Sequence, residues 1–147
     1  MKVLLALLIG LVSACSFAQP ASTNAANVRF EAVDIFVDAQ SESLAAYQLE
    51  FTVTNAVAKI VGIEGGESPA FREAPFYDPK AMQHERVVIA AFSTAKPLPS
   101  RNTRVATIHL QVSGQGTPKI ELQLEAAANA RGQKISVKTS FEMRAKK

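Results

Sequence analysis

His84 and His109 are the only histidines in this 147-residue chain, and a histidine base needs a nucleophile and an orienting acid within hydrogen-bond reach. His109 stands at the polar parity of an alternating run, beside Thr107 and Gln111, and reads as a solvated cross-strand residue. His84 lies in His-Glu-Arg near the end of a long connector, where it reads as loop surface. With neighbouring loop acids it is the one acid–base pair a small hydrolase could use. No Gly-x-Ser-x-Gly elbow, His-Glu-x-x-His or Cys-x-x-Cys spacing accompanies either histidine. Asp34, Asp38, Glu64, Glu67 and Asp78 fall near strand ends or loops without the spacing of a calcium loop, and Asp34 and Asp38 read as surface or turn residues. The chain is therefore expected to be non-catalytic, with no cofactor and no metal.

Contact chemistry is concentrated elsewhere. Residues 70–79 (Ala-Phe-Arg-Glu-Ala-Pro-Phe-Tyr-Asp-Pro) put three aromatics and both charge signs into ten positions. Phe, Tyr and Arg are the side chains that anchor interfaces. Phe71, Arg72, Phe76, Tyr77 and Asp78 are accordingly the candidate binding residues. Phe71, Phe76 and Tyr77 equally suit a plug over the open end of a sandwich, and the two roles coexist if some rings point in and one points out.

The first residues set the expected address. Met1-Lys2 is basic, residues 3–12 are apolar apart from Gly10, and residues 13–20 are Ser-Ala-Cys-Ser-Phe-Ala-Gln-Pro. That is the pattern of an export signal over residues 1–18, too short for the roughly 20 apolar residues of a membrane span. Ser16-Phe17-Ala18 fits ordinary cleavage after Ala18, whereas Val12-Ser13-Ala14-Cys15 resembles a lipobox that would attach a lipid to Cys15. Periplasm, outer envelope and secretion are the expected locations, with membrane contact only through such an anchor. Residues 19–27 are small and polar, as in a flexible segment.

About 125 residues remain, enough for one domain with a single core. A lone cysteine excludes an internal disulfide and any thiolate cluster. The net charge is +3 with basic residues scattered apart from a terminal Arg-Ala-Lys-Lys at 144–147, which reads as a solvated tail. Without a basic stripe the chain is a poor nucleic-acid binder. A chain with no Trp also lacks the strongest aromatic sugar platform.

The elements that must position these residues read as strands. Residues 28–39 are β-branched and aromatic, with Val28 and Phe30 on one parity and Val33, Ile35 and Val37 on the other, which predicts a bulge or a change of sheet. Tyr47, Leu49, Phe51 and Val53 alternate with polar residues. Residues 59–64 form a short run stopped by Gly65-Gly66. Residues 86–92 are nearly continuous in apolar side chains and read as a strand buried on both faces or in the centre of a sheet. Residues 104–112 alternate, as do Ile120, Leu122, Leu124 and Ala126, and then Ile135, Val137, Thr139, Phe141 and Met143. Residues 113–118 and 129–132 carry turn chemistry for hairpin-like returns, and Pro79 opens a possible helical turn. Short strands separated by turns predict an all-β antiparallel β-sandwich over residues 28–143. Tyr47, Leu49, Phe51, Ile89, Ile108, Leu110, Leu122, Leu124, Val137 and Phe141 are its expected buried set.

Three stretches resemble the cohesin domain. Residues 44–51 (Leu-Ala-Ala-Tyr-Gln-Leu-Glu-Phe) look like its early strand, with an aromatic–Gln pair before alternating apolar residues. Residues 87–94 (Val-Val-Ile-Ala-Ala-Phe-Ser-Thr) look like its central strand, and residues 103–112 (Thr-Arg-Val-Ala-Thr-Ile-His-Leu-Gln-Val) like the one after. The resemblance implies a jelly-roll sandwich akin to some carbohydrate-binding modules, and a partner that is a protein or an extracellular polysaccharide. The long connector over residues 65–85 departs from the cohesin pattern, and no dockerin-contact residue transfers by position. A purely structural envelope lipoprotein is the reading left if nothing binds.

Overall fold

A computed structural model describes residues 27–144. The signal peptide over residues 1–18, Cys15, all but the last residue of the 19–27 segment and the tail beyond Arg144 lie outside the described residues. The described residues form eight strands: β1 (Val28–Asp38), β2 (Ala46–Thr54), β3 (Val57–Gly65), β4 (Phe76–Tyr77), β5 (Arg86–Phe92), β6 (Asn102–Ser113), β7 (Lys119–Ala128) and β8 (Lys138–Met143). They make two four-stranded sheets, β3-β6-β1-β8 and β4-β5-β2-β7, in which every pairing is antiparallel. The protein is an antiparallel β-sandwich, as the alternating runs predict.

Each alternating run turns one parity inward. Val33, Ile35 and Val37 of β1, Leu49 and Phe51 of β2, Ile89 of β5 and Ile108 and Leu110 of β6 have no solvent exposure. Each such side chain contributes roughly 1.5–3 kcal/mol when taken fully out of water. Tyr47 joins the layer and donates its hydroxyl proton to the Val105 carbonyl at 3.1 Å. Burial pushes the Tyr47 phenol well above its ordinary value, so it stays protonated and remains a donor.

Several expectations need correction. β1 neither bulges nor changes sheet: Val28 and Phe30 simply face solvent, 46% and 65% exposed. The extra residue lies on its partner, where Ile35 pairs with Ala106 and Phe36 with Arg104, leaving Val105 over. β7 carries another bulge, at Glu125, between the Gln48–Ala126 and Leu49–Leu124 pairs. That one residue reverses the pleat, so Ala127 is buried and Ala126, expected inside, is exposed. Leu122, Leu124 and Val137 are only half-buried, because β7 and the approach to β8 lie at sheet edges. Phe141 and Met143 are 40% and 41% exposed for the same reason, since among the described residues β8 has no neighbour on its outer side.

The turn-rich connectors also behave differently from hairpins. Residues 114–118 carry the chain from β6 in one sheet to β7 in the other. Residues 129–137 carry it from β7 to β8, closing a local turn through the Ala128–Lys134 bridge before crossing. Arg144, expected in a solvated tail, is docked: its backbone N–H donates to the Ala32 carbonyl at 2.8 Å, and its guanidinium grips Asp34.

Candidate functional site

The connector over residues 65–85 is built from two short 3-10 turns around β4. Ser68 caps the first, Pro69–Phe71, and Asp78 caps the second, Pro79–Ala81, each accepting a backbone N–H two residues on. The helical turn read from Pro79 is therefore present as a single 3-10 turn. The root of the connector needs glycine for close approach. A Cβ on Gly65 would stand 2.0 Å from the Arg72 carbonyl oxygen, and one on Gly66 would stand 2.1 Å from that of Arg104. With those contacts available, Gly66 N–H donates to the Phe71 carbonyl and Glu67 N–H to the Arg104 carbonyl. The far end is tied down by the reciprocal bonds Gln83 N–H to Ile60 carbonyl and Ile60 N–H to His84 carbonyl, both 2.8 Å.

This anchored loop sorts its aromatics. Phe71 is 2% exposed and meets the edge of Tyr47 at 5.3 Å between ring centroids and 70° between planes, so it plugs the sandwich. Tyr77 is half-buried against the core. Phe76 points out and is 70% exposed. Arg72 is exposed just after the first turn, and the Asp78 carboxylate is occupied by its cap at 2.9 Å from Lys80 N. The five sequence candidates therefore do not converge on one spot, and Phe76 alone among them presents its ring to solvent.

Its companion comes from β5. Phe76 pairs with Ala90, which makes Phe92 its diagonal neighbour on the same face. The two rings stack at 6.2 Å with 11° between planes, and Phe92 is also 70% exposed. Of the two readings of residues 86–92, the central strand holds, since β5 lies between β4 and β2, and burial on both faces does not. Val87 and Ile89 face the core, while Val88, Ala90 and Phe92 face out. An apolar run on both parities of a strand is the signal that pointed to this face. One sequence does not show whether anything covers the second face of such a strand.

Next to the Phe pair the sheet is floored with small residues. Across β5, β2 and β7 one row reads Phe92, Ala46, Ala128, and the next reads Ala90, Gln48, Ala126 behind Phe76. Together they line a shallow cavity of about 250 Å³ in which Gln48 is the one polar side chain. The Glu125 bulge is what turns Ala126 up into this floor. Farther along the same face, past Val88, the surface becomes charged. Arg86 is ion-paired with Glu50, and that hydrogen bond holds the Glu50 carboxyl below its ordinary value. Asp78, Lys80 and His84 border this end.

The opposite sheet turns a different surface outward. Thr107, fully buried, donates to Asp34 Oδ1 at 2.6 Å and accepts from Arg104 Nη1 at 2.8 Å and Arg144 Nη2 at 3.2 Å. Arg144 holds both Asp34 oxygens, at 2.5 and 3.2 Å. Burial pushes the Asp34 carboxyl up, but the hydrogen bonds from Arg144 and Thr107 and the charges of Arg144 and Arg104 pull harder, leaving it below its ordinary 3.8. His109 lies beside this network with Nε2 3.1 Å from Glu64 Oε1, close but not aligned as a hydrogen bond. Among the described residues no three His, Cys, Asp or Glu side chains gather as a metal site.

No family model, no curated protein and no solved structure matches this chain.

Proposed function

We propose that this chain is an exported, non-catalytic binding module whose Phe76–Phe92 face seats an apolar surface of a protein partner. One observation carries the reading: two stacked phenylalanines, each 70% exposed, wall a trough floored by alanines. Single exposed apolar residues are ordinary, but a contiguous aromatic-walled patch on a soluble domain marks an interaction surface. A protein anchor suits it better than a polysaccharide. Sugars need hydrogen-bond partners for their hydroxyls beside each stacking ring, and the trough offers Gln48 alone. The commitment of the Asp78 carboxylate to a turn cap also favours binding over acid–base work with His84.

The test pairs the wild type with a Phe76→Ala/Phe92→Ala variant in a pull-down from envelope extract and on a glycan array. A protein captured by the wild type and lost from the variant is the expected outcome. Glycans bound equally by both would overturn the reading, as would hydrolysis of a substrate abolished by His84→Gln.

A further inference from the structure

The geometry points to a second copy of this chain as the occupant of the Phe76–Phe92 face. The proposal rests on the reading of that face as protein-binding, and it names the partner. The face is complementary to itself. In the order β4-β5-β2-β7 the bulky residues sit on one half, Phe76 on β4 and Phe92 on β5, and the small ones on the other half, Ala46 on β2 and Ala126 and Ala128 on β7.

A two-fold axis lying along the strands between β5 and β2 exchanges those halves while keeping the rows in line. Phe92 then lies over the second copy's Ala46, since the two share a row. Phe76 lies over the second copy's Ala126, since Phe76, Ala90, Gln48 and Ala126 form one row. Each ridge enters the other copy's trough, and both contacts are made twice, as an isologous interface requires. The charged row, Arg86, Thr52 and Glu121, lies at the rim of this contact, with Arg86 already paired to Glu50 and Glu121 to Lys119 within each copy.

The area sets the strength. Four strands at about 4.8 Å and four rows of alternate residues at about 3.4 Å per residue give roughly 500 Å² per copy. A standard interface buries about 800 Å² per partner, so the dimer belongs to the weak, concentration-dependent class.

Sedimentation velocity on the purified chain, from low micromolar to sub-millimolar, should show a reversible shift from monomer to dimer. Ala126→Arg fills the trough, and Phe76→Ser/Phe92→Ser removes the ridge. All three positions are exposed, so the variants should keep the wild-type circular dichroism and remain monomeric throughout. In a Cys15→Ser background, a mixture of Phe76→Cys and Ala126→Cys chains should be joined by a short bismaleimide far more than either chain alone. A wild type that stays monomeric at the highest concentration overturns the proposal, as does a dimer that survives Ala126→Arg or cross-links equally in every combination. If the wild type is monomeric while the Phe76→Ala/Phe92→Ala variant still loses a captured protein, the second copy is excluded and the binding reading stands. If both are lost, the two fail together.

Discussion

The two sheets of the sandwich differ in what clusters on their outer faces: a bonded polar group on one, a stacked aromatic pair over alanines on the other. On β3-β6-β1-β8 an outward polar cluster satisfies itself, although Val28, Phe30 and Val57 of that sheet stay exposed: the Thr107 hydroxyl gives one hydrogen bond and receives two, and both Asp34 oxygens are held by Arg144. On β4-β5-β2-β7 the outward groups include Phe76, Phe92, Val88 and four alanines, which have nothing to satisfy except contact with water. Polar side chains close on their neighbours because hydrogen bonds are short-ranged and countable. Apolar side chains do not, since their gain comes from area removed from water, and an open sheet face has no more area to remove without a second body. The first face thus holds a structural lock, and the second is the proposed docking surface.

The sharpest way to break this contrast is at the plug that holds the docking wall in place. Phe71→Ala empties a buried aromatic site under Tyr47 and should cost about 3–5 kcal/mol in denaturant unfolding. It should also loosen the loop that carries Phe76. A stability loss below about 1 kcal/mol would show that Phe71 is not the plug.

The lock is tested next. Asp34→Ala leaves the buried Thr107 hydroxyl without its acceptor and should cost about 1–3 kcal/mol, with any binding through the Phe76 face unchanged. The same carboxylate sets an acid dependence. Its folded value lies below the ordinary 3.8, so its contribution is fully present above the unfolded value and is lost as pH falls toward and through the folded one. Thermal unfolding followed from neutral pH down past the carboxylate range should therefore steepen in the wild type and flatten in Asp34→Ala. Equal acid slopes in the two proteins would remove Asp34 from the lock.

The smallest expected effect on stability sharpens the comparison most. Phe76→Ala/Phe92→Ala strips two rings that are already 70% exposed, and should shift unfolding by no more than about 0.5 kcal/mol per position. Association should be lost all the same. A variant that unfolds several kilocalories earlier would mean that the stacked pair holds the fold rather than a partner.

The lock was the harder face to read in advance. Asp34 and Thr107 are 73 positions apart and Arg144 lies 110 from Asp34, so no local pattern joins them, and a basic residue in a terminal cluster gave no hint of a bidentate grip. The docking face was half legible. The aromatic density of residues 70–79 marked the right loop, and the possibility that one ring points out while others plug is what Phe76, Phe71 and Tyr77 show. Phe92 is not legible as a contact residue, because it ends a nearly continuous apolar run whose open face no single sequence reveals.

What the sequence determined by itself is the layer architecture and the inner faces. A strand repeats every two residues, so Tyr47, Leu49 and Phe51 or Ile108 and Leu110 have to share a side, and burying that side takes a second sheet. What only the tertiary structure decided is pairing and parity beyond that. Val105 and Glu125 each add one residue opposite a partner that has none to match. One residue in a period of two turns every later side chain over, which is how Ala126 reached the outer floor and Ala127 the core. Such a bulge exists only relative to the neighbouring strand, and that neighbour is chosen by the folded sheet.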